Sequence, residues 1–215
     1  EGEVHPLNKG LDLAQGEMAG FQASDDFYTP DAVRESVEFL LKRSKHIGVS
    51  ADAEYVDESG RPLQMGVVTY RGRMASDTIR KIIINRYKAC PVCHGSFFGW
   101  RERLLKHGKL NPAFSVTPDW EYYLRLMKEG ETIGFIPKVH YKYTVHSDMG
   151  AVKYWEKVEK QLQELHEIHG ITALDRVRRA TTGRAISYFA NPYRTPLLRG
   201  LRRELRDWLQ RRRAR

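Results

Sequence analysis

The sequence predicts an α/β sandwich, and three observations carry that reading. Segments with helical spacing of apolar residues alternate with short runs that read as strands, the order expected of a layered domain of sheet and helices. The 215-residue chain is 41% hydrophobic and 29% charged, a globular composition. No run approaches the roughly 18 to 20 apolar residues needed to cross a bilayer, and no charged-apolar-small segment resembling a signal peptide opens the chain. Two cysteines fall short of a disulfide scaffold and fit a reducing compartment. A cytoplasmic location is therefore expected.

The elements follow in order. Leu7, Leu11 and Ala14 share a helical face within residues 6–15, and Gly16 stands where a C-cap glycine belongs. Residues 17–23 read as a strand through Met18 and Phe21, and deliver Ser24-Asp25-Asp26 at its carboxyl end. Thr29 as N-cap, Pro30 at the first helical position and Asp31 in the first turn open a helix whose Val33, Val37, Leu40 and Leu41 are expected to face inward. Residues 47–57 alternate toward a strand, Glu58-Ser59-Gly60-Arg61 is turn chemistry, and residues 64–70 supply a second strand.

Ser76 can cap a helix carrying Ile79, Ile82, Ile83 and Tyr87. Residues 95–100 read as a buried strand, followed by a short basic helix ending at Gly108. After an irregular stretch over 109–117, Pro118 opens a helix through Glu129, and residues 132–137 return as a strand. Val158, Leu162, Leu165 and Ile168, led by Tyr154 or Trp155, then make an amphipathic helix closed by Gly170.

The net charge of +9 belongs to the tail. Residues 171–215 hold 13 arginines and no lysine against Asp175, Glu204 and Asp207, which leaves the body near neutrality. Such a body is not a surface built to track phosphates, so nucleic acid is an unfavoured partner. Within the tail, Leu198, Leu201, Leu205, Trp208 and Leu209 can form an apolar stripe bordered by arginines. That is the pattern of an interfacial helix on an anionic membrane, and equally of a basic helix docked on its own core.

Three constellations bear on chemistry. Cys90 to His94 reads CPVCH, which matches the haem c attachment signature and contains a Cys-x-x-Cys pair. A zinc site would need further ligands that the spacing does not supply. Ordinary buried or loop cysteines are the alternative. Asp25 and Asp26 close a strand in a way that can hold Mg²⁺ or Mn²⁺ while leaving positions for diphosphate oxygens, or can simply form a capping turn. Asp119 stands in the first turn of its helix, where a favourable interaction with the helix dipole is the plain reading.

Taken in order, these pieces resemble a family. Asn8-Lys9-Gly10, Ala14-Gln15-Gly16-Glu17, the run from Phe21 to Asp26 and Tyr28-Thr29-Pro30-Asp31 are similar to the stretch of family-2 glycosyltransferases of GT-A fold that runs from the Asn-x-Gly helix through the DxD-type motif. Gly95-Ser96 with the run to Arg101 resembles the acceptor-side strand. Asp119-Trp120-Glu121-Tyr122-Tyr123-Leu124-Arg125-Leu126 resembles the Glu-Asp motif and its helix, and Tyr143-Thr144-Val145-His146 the Tyr-Arg-x-His element that closes the site. Ala23, Pro118 and Thr144 stand where the family usually has aspartate, glutamate and arginine.

The resemblance implies a GT-A-like, Rossmann-like mixed β-sheet flanked by helices, covering residues 1–150 as the core. Residues 151–170 would add an amphipathic helix packing on it, and residues 171–215 a basic helical tail. It also implies an N-terminally truncated fold, since family members carry a nucleotide-binding half-domain upstream of the Asn-x-Gly helix. The implied activity is inverting transfer of a sugar from a UDP- or GDP-type nucleotide-sugar donor to a hydroxyl acceptor, a glycan or lipid-linked molecule of polysaccharide or envelope synthesis. Asp25, Asp26 and His146 would hold Mn²⁺ or Mg²⁺ and the donor diphosphate. Asp119 would be the general base, and His94, Gly95 and Trp120 would line the acceptor and sugar pocket. An anionic membrane surface engaged by the tail would suit such acceptors, and would make the protein peripheral on the inner face of the membrane. The rival expectations are a non-catalytic remnant or accessory module that keeps the fold, and a basic membrane or nucleic-acid adaptor acting through the tail.

Overall fold

The structure is a computed structural model that describes residues 4–68, 90, 92–146 and 154–169. The helix expected around residues 76–87, Gly170 and the basic tail lie outside the described residues. Among those described, the order is α1 (Val4–Leu13), β1 (Met18–Gly20), β2 (Phe27–Tyr28), α2 (Ala32–Lys42), β3 (Gly48–Val56), β4 (Pro62–Val68), β5 (Phe98–Trp100), α3 (Arg101–Lys106), α4 (Pro118–Lys128), β6 (Ile133–Thr144) and α5 (Trp155–Ile168). No helix among these residues is long and apolar enough to cross a membrane.

The sheet is organised around β3. Its first six residues, Gly48 to Ala53, are all buried, the signature of a central strand covered on both faces. One edge pairs in parallel with β6 from Gly48 opposite Ile133 to Val56 opposite Thr144. The other edge is divided between two antiparallel strands, β5 against Gly48 and Val49 and β4 against Ala53 to Val56. The strand β1 extends the sheet beyond β5, and β2 extends it beyond β6.

Five expectations need correction. The helix α2 starts at Ala32 with Asp31 as its N-cap, so Thr29 and Pro30 lie before it, and the Thr29 hydroxyl donates to Val139 O instead. The strand starting near residue 132 does not stop at Pro137 but continues to Thr144. Ala51 pairs with Ile136 and Asp52 with Val139, so Pro137 falls in a bulge, where its missing N–H interrupts no ladder bond. The buried face of α2 is Ala32, Ser36 and Leu40, with Phe39 packed beside them, whereas Val33 and Leu41 are 45% and 64% exposed. Small residues at 32 and 36 let the helix lie close to the sheet, and the Ser36 hydroxyl donates to Ala32 O at 2.7 Å, so its burial leaves no polar group unmet. Gly16 does not adopt a positive φ, and α1 ends at Leu13, whereas Gly108 after α3 does, at 80°. In α5, Leu162, Leu165 and His166 face inward, and Ile168 is exposed because helical spacing places it off that face.

A charged cluster closes the end of the sheet opposite the acidic turn described below. Arg103 of α3 donates to Ser44 O at 2.9 Å, His46 O at 3.1 Å and Lys45 O at 3.2 Å, and pairs with Glu131. The His107 imidazole contacts Glu129 through Nδ1 and Glu131 Oε1 at 2.8 Å through Nε2. Burial alone would lower this imidazole, but the two carboxylates overcome it and hold it above the ordinary histidine value. A raised folded-state value means that the stabilisation is fully present below about pH 6.5 and is lost as pH rises through the folded value. The urea midpoint is therefore expected to fall between pH 6 and pH 8.5, and His107→Gln to flatten that slope. An equal slope in the variant would show that the cluster does not carry the effect.

Candidate active site

The acidic turn following β1 is built against the end of β6. Asp26 is 8% exposed, and its Oδ1 accepts from Thr144 N at 2.8 Å. Burial pushes the Asp26 carboxyl up, while the Thr144 N–H and the Tyr141 hydroxyl pull it back. Tyr141 Oη also accepts from Ala23 N at 3.2 Å, and the Thr144 hydroxyl donates to Asp25 O. Thus Tyr141 and Thr144 of β6 hold the turn at two backbone atoms, Ala23 N and Asp25 O, and at the Asp26 carboxylate. The two adjacent carboxylates then part company: Asp26 turns inward as an anchor, and Asp25 turns outward with 44% of its side chain exposed. Its Oδ2 lies 2.5 Å from His146 Nε2.

Among the described residues, no three His, Cys, Asp or Glu side chains gather into a self-sufficient metal cage. One carboxylate and one imidazole on an open rim still match a cation of the Mg²⁺ or Mn²⁺ kind, which takes one or two protein ligands and completes its shell with phosphate oxygens. Asp25 and His146 fit that requirement, while Asp26 has one oxygen committed to the β6 backbone.

Gly95 sets the depth of the neighbouring turn. A Cβ there would lie 2.1 Å from the Tyr141 ring, so only glycine lets the tyrosine reach Ala23 and Asp26. The turn itself is pinned to β3 by two hydroxyls. Ser50 Oγ accepts from Cys93 N at 3.1 Å, and Ser96 Oγ accepts from Ala51 N at 2.9 Å while donating to Ala51 O at 3.0 Å. His94 stacks on Phe21 with ring centroids 4.6 Å apart and an interplanar angle of 20°, and its Nδ1 lies 2.8 Å from Tyr123 Oη. Its Nε2 is buried with no hydrogen-bond partner. Burial pushes this imidazole down, with the Asp119 charge opposing, so it is neutral at physiological pH.

Asp119 occupies the first turn of α4, half-buried beside Cys90, with which it shares a hydrogen bond. Burial first, and then the Asp119 charge, push the Cys90 thiol well above its ordinary value. Cys93 is fully buried, its Sγ 3.5 Å from Tyr143 Oη, and neither cysteine is in a disulfide. Cys90 is thus a protonated thiol and Cys93 a buried one, the opposite of what redox chemistry or metal ligation needs. Trp120, expected to line a sugar pocket, is 5% exposed and packs with Phe114, Leu124, Leu162 and Leu165. It is a wedge between α4 and α5 and offers no open stacking face. The sequence does not single out Tyr141 or Gln161, and places Tyr123 only within the motif that follows Asp119. The dense aromatics of the run 141–143 were the one signal for the first of them.

The model of the glycosyltransferase like family 2 matches residues 1–167. The chain belongs to this glycosyltransferase family. A comparison with curated proteins finds no match. Among solved structures, this glycosyltransferase chain is similar to S. aureus TarS 1-349, with 17% identity, 86% of this chain and 53% of that chain covered, and a TM-score of 0.51. It is similar also to the same protein in complex with UDP-GlcNAc, with 17% identity, coverage of 87% and 53%, and a TM-score of 0.51. The shared fold is the GT-A one, a mixed, curled sheet flanked by helices. The chain spans about half the length of these structures.

Proposed function

We propose that this chain forms the acceptor-side part of the catalytic domain of an inverting glycosyltransferase that moves a sugar from a UDP-linked donor to a hydroxyl acceptor. One observation carries the reading. Cys90 and residues 92–96 stand between two acids: Gly95 accommodates Tyr141, which fixes the Asp25–Asp26 turn, and Cys90 touches Asp119. An outward carboxylate suited to a diphosphate and a half-buried carboxylate suited to a proton are therefore joined through one short, pinned segment. The similarity to a protein solved with UDP-GlcNAc supports UDP as the nucleotide to try first.

In this mechanism Asp25 and His146 would hold a divalent cation. When bound, the cation neutralises charge growing on the departing diphosphate. Asp119 accepts the proton of the acceptor hydroxyl as that oxygen attacks the anomeric carbon. The bond from that carbon to the β-phosphate oxygen breaks on the opposite face, its electron pair leaves with UDP, and the anomeric configuration inverts. The neutral, packed His94 keeps a second positive charge away from the acceptor side. The arginine-rich tail supports a glycan or lipid-linked acceptor at an anionic membrane surface.

The direct test is calorimetric titration of UDP, then GDP, into the chain with and without Mn²⁺. UDP binding that requires Mn²⁺ and weakens at least tenfold in Asp25→Ala is expected. A folded chain that binds neither nucleotide, or binds equally well in the variant, would sink the assignment.

A further inference from the structure

One buried polar residue of α5, Gln161, reaches the loop that leads into α4. Gln161 is 5% exposed, on the face of α5 that also carries Leu162 and Leu165. Its Oε1 accepts from Val116 N at 3.1 Å and from Thr117 Oγ1 at 3.1 Å, and its Nε2 donates to Ala113 O at 2.9 Å. A backbone N–H can only donate and a backbone carbonyl can only accept, so these partners fix which end of the amide is oxygen. A buried amide is tolerable only when its hydrogen bonds are made. The side chain is thereby committed to the loop that leads into α4.

Thr117 shows what that commitment displaces. It is the N-cap residue of α4, a position whose hydroxyl usually accepts from the N–H of the second or third helical residue. Here it makes no cap bond, and its hydroxyl is directed to Gln161 instead. Pro118 at the first helical position has no N–H, so the start of α4 is held chiefly from outside, by α5. One residue beyond Asp119, Trp120 packs on Leu162 and Leu165. Polar and apolar tethers from one helix therefore bracket Asp119.

We infer that Gln161 is a positioning residue for Asp119, fixing the base through the 113–117 loop rather than touching substrate. The inference rests on the reading of Asp119 as the general base. Misplacing a catalytic group by about 1 Å can cost on the order of a hundredfold in rate.

Gln161→Met keeps the volume and removes all three hydrogen bonds, and Gln161→Glu keeps the two accepted ones. With UDP-GlcNAc as donor and UDP release as the signal, Gln161→Met is expected to lower kcat about tenfold to a hundredfold with the donor KM within about twofold of the parent's. Gln161→Glu should lose less. Cys90, whose thiol is held up by the charge and hydrogen bond of Asp119, supplies a second readout: disulfide reagent should label it at least about tenfold faster in Gln161→Met, as that bond loosens, with the buried Cys93 still protected. Where the chain releases no UDP, that labelling ratio decides alone. Parental kcat and labelling in a folded Gln161→Met would overturn the inference, as would kcat loss accompanied by exposure of Cys93, the mark of general loosening. If Asp119→Asn is inactive while Gln161→Met is unaffected, only this inference fails. Parental turnover in Asp119→Asn would instead remove the base assignment and the inference together.

Discussion

Asp119→Asn is expected to lower kcat by about 10²- to 10⁴-fold, the range lost with a general base, while the affinity for UDP and Mn²⁺ stays within about twofold. The amide has the shape of the carboxylate and can still bond to the Cys90 thiol, but it cannot take up the acceptor proton. The base side and the diphosphate side use different acids, so the two measurements separate. The same substitution removes the Asp119 charge, the largest influence after burial that raises the Cys90 thiol, so that thiol should titrate closer to its ordinary value, with burial remaining. Single-turnover release of UDP, with and without acceptor, checks the first outcome. A loss smaller than about tenfold would leave Asp119 as a helix-start acid of structural value only.

Gly95→Ala is expected to destabilise the fold at or above the roughly 1–3 kcal/mol typical of overpacking. A methyl group there would sit 2.1 Å from one ring atom of Tyr141 and 2.2 Å from another, and neither side of the contact can easily give. The Gly95 turn is tied to β3 through Ser50 and Ser96, and Tyr141 stands in β6 with Tyr28 and Tyr143 against its ring at 5.6 Å and 5.0 Å between centroids. A displaced ring also releases the Ala23 N–H and the Asp26 carboxylate, so donor binding should fall more steeply than stability alone requires. Urea unfolding of Gly95→Ala, Tyr141→Leu and the double variant provides the check. The double variant should be less destabilised than the sum of the singles, because the smaller side chain relieves the clash. Simple additivity would show that the contact is not the cause.

The alternation of helices and strands and most element centres were legible in the sequence because apolar spacing and turn chemistry are local properties. What failed depended on partners. The face of α2 was misread because Val33 and Leu41 are the more apolar residues, yet Ala32 and Ser36 are the ones small enough to meet the sheet. The strand β6 was cut short at Pro137 because its bulges break the two-residue period that marks a strand. At the site, Asp25, His146 and Asp119 were singled out by motif resemblance, and the structure brings the first two together at 2.5 Å. No local pattern could show that Asp26 turns inward, that Trp120 is consumed by α5, or that a glutamine in an ordinary amphipathic helix holds the loop before Asp119. Each of those facts is a contact across tens of residues.

The pairing of β3 with β6 has a consequence for how the chain is made. Gly48 leaves the ribosome long before Ile133, the residue it lies beside, and β5, which shares the other edge, is also late in the chain. At synthesis rates of about 5–20 residues per second, the central strand waits roughly 4–17 s for its parallel neighbour. Until then the whole edge that meets β6, and the Gly48–Val49 part of the other edge that β4 does not reach, are open to any other extended chain. Contacts so distant in sequence make for slow closure and for a long window in which nascent copies can associate. Slow translation lengthens that window, so yield from a slowly translating host should be limited by aggregation during synthesis more than by the stability of the finished domain.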